Sequence, residues 1–289
     1  MWKLGNVTVR EFEQGDLNFA YEILVIEEWN DRREDAERML DYEPEGCFMA
    51  EVNHERAGHI FSISYASLAW VGYVIVKAEY RNRGIATLLL KKALDYLRSK
   101  RVQTVKLEAV PEIANLYRKL GFTDEYDSLR LVGTGRTYDS AKGENVKPMI
   151  ADEVAEVAMF DEKYFGADRS KVLSKLFQDY PELCFVSHGA SDVEGYVMCR
   201  RAEFGYKLGP WVCKPENPEA ARSLLLKCLS ATEPESKIFI GTPAPNMTAI
   251  EILQKLGFEQ YSKSIRMRHG KTLNDRINGI FAIGGPMKG

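Results

Sequence analysis

Two short strings recur in this chain at one spacing. T-L-L-L-K at 87–91 returns as S-L-L-L-K at 223–227, and K-L-G-F at 119–122 returns unchanged at 255–258. From 87 to 223 and from 119 to 255 the displacement is the same, 136 residues. Leucine-rich helix fragments resemble one another for structural reasons, yet two separate matches sharing one displacement favour two copies of one fold. A chain of 289 residues is long enough for two small domains. The Gly-, Ser- and charge-rich string G-T-G-R-T-Y-D-S-A-K-G-E-N ending at Asn145 reads as the connection. The predicted organisation is a first domain over 1–133, a linker over 134–145 and a second domain over 146–289.

Within the first copy, strand and helix periods alternate. V-T-V-R-E-F reads as a strand; Asp16 is placed to N-cap a helix through Leu17, Ala20, Tyr21 and Leu24, and residues 33–40 read as another helix. Strands rich in Phe, Ile, Val, Tyr and Trp follow at 47–52, 58–65 and 68–76, separated by short polar turns. A helix with Ile85, Leu88, Leu89, Ala93, Tyr96 and Leu97 on one face leads to a strand at 102–110 and a helix from Pro111 to Leu120, with Gly121 as its left-handed cap. An antiparallel meander running into strand, helix, strand, helix makes a mixed α/β fold.

The chemically informative stretch is V-K-A-E-Y-R-N-R-G-I-A-T-L-L-L, from Val76 into the helix after Gly84. The first turn of a helix presents unpaired N–H groups and a positive dipole end, and Gly84 with Ala86 leaves room for a phosphate to settle on the backbone. The same string also reads as a tight turn with Arg81 and Arg83 solvated.

Arg81, Gly84 and Ala86 match the [QR]-x-x-G-x-[GA] signature of the GNAT N-acetyltransferase family, and A-N-L-Y-R-K-L-G-F at 114–122 resembles that family's L-Y-x-K-x-G-F helix. The resemblance covers about residues 1–135. It implies tandem GNAT-like folds and acetyl-CoA as cosubstrate, its pyrophosphate on Arg81, Asn82, Arg83, Gly84, Ile85, Ala86 and Thr87 and its pantetheine along Val74, Ile75 and Val76. It also implies Tyr117 as the general acid for the departing thiolate, with core packing as the alternative for that ring. Val110 stands where many members carry an Asn before the last helix.

The second copy resembles the family more weakly. Asn217, Ala220 and Arg222 stand opposite Arg81, Gly84 and Ala86, Pro215 and Pro218 enter the loop, and Leu253 replaces Tyr117. D-E-K-Y-F-G-A-D-R at 161–169 and G-P-W-V from Gly209 resemble the C-terminal half of two-domain members. This half reads as a degenerate copy, either inert or substrate-shaping.

Acyl transfer to an amine also needs a base and an oxyanion site. Backbone N–H groups where the strand 71–76 leaves its neighbour supply the second. Glu108 is the candidate base, with Glu27 and Glu28 behind it, and a solvated carboxylate is the alternative for each. Glu28, Trp29 and Asn30 lie where the family walls its acceptor site. Residues 27–45 hold nine acidic and three basic side chains, which suits a cationic amine or merely a solvated helix face.

Other strings carry no chemistry. His54 and His59 are spaced one residue too far for H-E-x-x-H, Gly270-Lys271-Thr272 lacks the upstream Gly of a P-loop, and Gly133 and Gly135 lack a third partner. The five cysteines form no C-x-x-C pair, so reduced core residues are expected, with no metal. Net charge of −3 gives no pull toward nucleic acid or an anionic membrane, and no apolar run reaches the ~20 residues of a span, so a cytoplasmic protein is expected. The function expected is acetyl transfer to the primary amine of a small molecule or protein; the rival is an acyl-CoA-binding sensor with little turnover.

Overall fold

The computed structural model describes residues 6–136, 145–190, 192–273 and 275–289. The strands of the first copy are β1 (Val7–Glu11), β2 (Cys47–Val52), β3 (Glu55–Tyr65), β4 (Leu68–Val76), β5 (Thr104–Ala109) and β6 (Thr123–Thr134). Those of the second are β7 (Val146–Pro148), β8 (Cys184–His188), β9 (Val193–Arg201), β10 (Tyr206–Cys213), β11 (Lys237–Pro243), β12 (Glu259–Gly270) and β13 (Ile280–Ala282). The helices are α1 (Leu17–Ile26), α2 (Arg33–Tyr42), α3 (Ile85–Ser99) and α4 (Ala114–Lys119), then α5 (Val154–Phe165), α6 (Ser170–Asp179), α7 (Pro218–Ser230) and α8 (Met247–Lys255). The mixed α/β expectation holds. β2 and β4 span the predicted residues, and β3 begins three residues early because its hairpin turn is confined to Asn53 and His54, both at positive φ.

Two local expectations change. Asp16 precedes α1, but its buried carboxylate faces back, accepting from the Glu13 N–H at 2.9 Å and from Arg10 and Arg56, each at 2.6 Å. It therefore ties the chain entry to β1 and β3 instead of capping α1. Pro111 opens a single 3-10 turn, Pro111–Ile113, before α4 begins at Ala114.

The sheet runs β1-β2-β3-β4-β5-β12-β6-β11-β10-β9-β8-β7, with β13 beside β10. The copies have exchanged their last strands. β12 lies antiparallel to β5, and β6 lies antiparallel to β11, while β6 and β12 pair with each other at the centre. The boundary drawn between 133 and 146 therefore divides the sequence but not the sheet, since β6 belongs to the ladder of the second copy. Most of the expected linker, 137–144, lies outside the described residues.

One core cluster spans both copies, joining Phe12, Leu17, Phe61 and Tyr73 to Phe160, Phe165, Leu173 and Met287. The apolar side of α3 packs on β2 to β4, and that of α7 packs on β8 to β10. All five cysteines are buried and free.

Candidate active site

β4 and β5 pair in parallel only from Leu68 with Thr104 to Trp70 with Lys106, and beyond that rung the strands part. On its other side β4 carries a bulge. Phe61 pairs with Gly72 and His59 with Ile75, so one residue of β3 faces two of β4, and Tyr73 takes φ +49. A bulge raises local twist and re-aims the residues after it. Gly72 is required here, because a Cβ would stand 2.7 Å from the Met287 side chain.

The parted strands open into a cleft of about 540 Å³ lined by Val74, Ile75, Val76, Arg81, Asn82, Gly84, Ile85, Ala86 and Thr87, with Tyr117 on the far wall. The structure thus assembles the residues expected to hold the cofactor, except Arg83, whose guanidinium lies 5.5 Å over the Tyr80 ring. The fit to a pyrophosphate rests on Gly84. It takes φ +79 as the residue before α3, and a Cβ built there meets no atom within 4 Å, so the space above the first helical turn is open. Among the described residues no side chain caps that turn, which leaves its N–H groups to a ligand. Arg81 fixes the loop, donating from Nε to the Val76 carbonyl at 2.9 Å and pairing with Glu27 through Nη2.

The second copy begins the same way, with parallel pairing from Tyr206 with Ile238 to Leu208 with Ile240. Its cleft is filled by the chain itself. β13 pairs with β10 at Trp211 and Val212, and the Ile283 N–H donates to the Gly241 carbonyl of β11 at 2.9 Å. At the start of α7, Asn217 Oδ1 accepts from the Ala220 N–H at 3.1 Å, and Asn217 Nδ2 donates to Glu194 at 2.7 Å. The donor a phosphate would use is already satisfied, and a carboxylate stands beside it.

Tyr117 has its ring buried edge-on to Phe122, the centroids 6.0 Å apart. Burial pushes its pKa well up, so the phenol stays protonated and able to donate.

Trp29, Val110 and Glu112 also line a second, neighbouring chamber of about 710 Å³. One wall is Glu28, Trp29, Asn30 and Asp31; the other comes from the second copy, with Lys207, Phe239, Tyr261 and residues 283–286. Glu28 and Asn30 take φ +55 and +53, and Asn30 is clamped to the β9–β10 turn, its Oδ1 accepting from the Phe204 N–H at 2.7 Å. Lys207 donates to Asp31 at 2.5 Å. Of the acidic run 27–45, Glu28 and Asp31 line the chamber; Asp35, by contrast, is buried between Arg38 at 2.7 Å and Arg200 at 2.9 Å. The run is spent largely on structural ion pairs, with no broad anionic wall.

Glu108 also differs from expectation. Its side chain is fully buried, with one oxygen accepting from Arg266 at 2.6 Å and the other from Ser264 and from Arg130 at 3.2 Å. Although burial opposes the charged form, the two guanidiniums hold its pKa below the usual carboxylate value. Glu108 borders the chamber, but its carboxylate is fully buried and already accepts three hydrogen bonds, two of them from guanidiniums, so what the structure shows it doing is joining β5 to the exchanged strand β12. Sequence reasoning missed Glu112 and Lys119, both in the cleft wall; Pro-Glu directly after a strand was the available signal for Glu112. Among the described residues no three His, Cys, Asp or Glu side chains group to hold a metal.

Comparison with known proteins agrees with this fold. The Acetyltransferase (GNAT) family profile matches residues 10–122, and an Acetyltransferase (GNAT) domain profile matches 157–282. The holothin acyltransferase of Pseudoalteromonas sp. (strain SANK 73390) is 30% identical over 261 residues, 90% of this chain and 86% of that one. A structure from Pyrococcus horikoshii, assigned as an acetyltransferase, superposes with a TM-score of 0.84 at 26% identity, covering 100% of this chain and 98% of that one. A tandem GNAT protein from the clavulanic acid biosynthesis pathway shares the fold, with a TM-score of 0.63 at 13% identity over 93% of this chain and all of that one. The chain belongs to the GNAT acetyltransferase family. It is an N-acyltransferase built from two such domains in tandem. No helix among the described residues is long and apolar enough to cross a membrane.

Proposed function

We propose that this N-acyltransferase binds one acetyl-CoA, in the first copy, and transfers the acetyl group to a primary amine that enters through the chamber between the copies. The observation that carries the reading is the pair of neighbouring cavities that share Trp29, Val110 and Glu112 in their walls, one open at an uncapped helix start and the other walled by both copies. The N–H groups of the first turn of α3 take the pyrophosphate, and the edge of Val74–Val76 takes the pantetheine amides. Acetyl-CoA supplies the activated acyl thioester. Tyr117 faces the cleft from the wall opposite β4, and its protonated phenol is the donor to the leaving sulfur. The second copy shapes the acceptor site, contributing Phe239, Tyr261 and residues 283–286 to the chamber. The similarity to a holothin acyltransferase supports an acyl acceptor bound by the full tandem chain, since the match covers both copies.

Thiol release from acetyl-CoA, measured across a panel of primary amines, tests the reading: release must depend on the amine. With a functional amine, Tyr117→Phe is expected to lower the single-turnover rate by up to about 10²-fold while leaving acetyl-CoA affinity nearly unchanged, because the proton matters as charge develops on sulfur. An unchanged rate returns Tyr117 to core packing. Amine-independent binding without turnover favours the sensor reading instead.

A further inference from the structure

We propose that Glu112 is the general base of the reaction, taking the proton from the attacking amine nitrogen. The inference rests on the N-acyltransfer reading above and names a group that reading leaves open. The acyl carbon belongs to a ligand in the cleft and the amine arrives from the chamber, so the base must face both spaces. Trp29, Val110 and Glu112 line both, and of these three only Glu112 carries a carboxylate.

The competing carboxylates are engaged or misplaced. Glu108 is held by Arg266, Arg130 and Ser264; Glu27 is paired with Arg81; Asp31 is held by Lys207; Glu28 lines the chamber and not the cleft. His59 is enclosed by Phe12, Phe19, Phe61 and Tyr73 behind the bulge and reaches neither space. Glu112 is exposed, and among the described residues no ion pair or side-chain hydrogen bond engages its carboxylate. It sits in the 3-10 turn Pro111–Ile113 that leads directly into α4, so base and acid, Glu112 and Tyr117, are carried five residues apart by one continuous segment.

The step balances. The neutral amine nitrogen bonds to the acyl carbon as Glu112 accepts an N–H proton; the carbon–sulfur bond then breaks, and the thiolate takes the Tyr117 proton to give CoA as a thiol and the amide. Glu112 returns its proton through solvent to the Tyr117 phenolate, restoring both groups.

The test is the single-turnover rate of thiol release at saturating amine and acetyl-CoA for wild type, Glu112→Gln and Glu112→Asp, with acetyl-CoA affinity measured by calorimetry to show that each variant folds and loads. Glu112→Gln is expected to lose about 10²-fold in rate and Glu112→Asp to retain an intermediate rate, both binding acetyl-CoA as wild type does. A loss smaller than about tenfold in Glu112→Gln overturns the assignment whatever happens to the amine KM, as does a rate loss matched by an equal loss of acetyl-CoA affinity. If the wild type itself releases no thiol with any amine, the proposed function fails along with the base. If only the glutamine variant keeps pace with wild type, the base alone fails.

Discussion

Gly84→Val is expected to weaken acetyl-CoA binding by about 10²-fold in a protein that remains folded. Two costs combine. A β-branched residue at φ +79 is strained, which disfavours the loop geometry even without ligand. Its side chain also projects into the open space above the first turn of α3, which the phosphate must enter to reach the N–H groups. Charge-assisted hydrogen bonds are each worth ~1.5–3 kcal/mol, so losing the equivalent of one or two gives a hundredfold change. Gly84→Ala carries the conformational cost with only one methyl group and should fall between valine and wild type. Calorimetric titration measures both; equal affinities for all three proteins would mean that residues 81–87 form a turn and nothing more.

Asp161→Ala should destabilise the protein by about 3–5 kcal/mol, because it leaves a buried guanidinium without its counter-ion. Arg169 donates from Nε and Nη2 to the two Asp161 oxygens at 2.7 and 2.8 Å, and the Tyr196 hydroxyl donates to the same carboxylate at 2.6 Å. Surface pairs of similar length are worth far less, since solvent screens them; here neither side chain is more than 2% exposed. The third nitrogen of Arg169, Nη1, donates to the Gly289 carbonyl at 2.8 Å, so the pair also anchors the end of the segment whose residues 283–286 line the chamber between the copies. Thermal unfolding should show a fall on the order of 10 °C. A shift of one or two degrees would mean that Arg169 finds compensation elsewhere.

The string D-E-K-Y-F-G-A-D-R thus proves to be a buried clamp, and its case illustrates which parts of this molecule can be read from the chain. Residue type, helical periodicity and turn chemistry located the meander β2 to β4, the helix α3 and the end of α4, because those signals are local: runs rich in Phe, Ile, Val, Tyr and Trp in the strands, apolar residues at helical spacing in α3, and Gly121 at φ +89 after α4. The glycine-bearing loop was legible for the same reason. Contacts between distant segments were not. The exchange of β6 and β12 leaves no local trace, since each strand looks the same whichever ladder it joins. The filling of the second cleft by β13 is another long-range event, although Asn217 and Pro218 hinted at its consequence. Glu108 looked available because nothing in sequence tells that Arg266, 158 residues away, would meet it. The acidic run misled in the same manner: Arg200, from the other copy, neutralises Asp35 inside the core.

The tandem chain is proposed to hold a single working acyl-CoA site, in its first copy. Isothermal titration of the whole chain with acetyl-CoA tests it most directly. One equivalent bound per chain and no second phase are expected, because β13 fills the cleft of the second copy and Asn217 caps the helix where a phosphate would rest. Two equivalents of comparable affinity would contradict it.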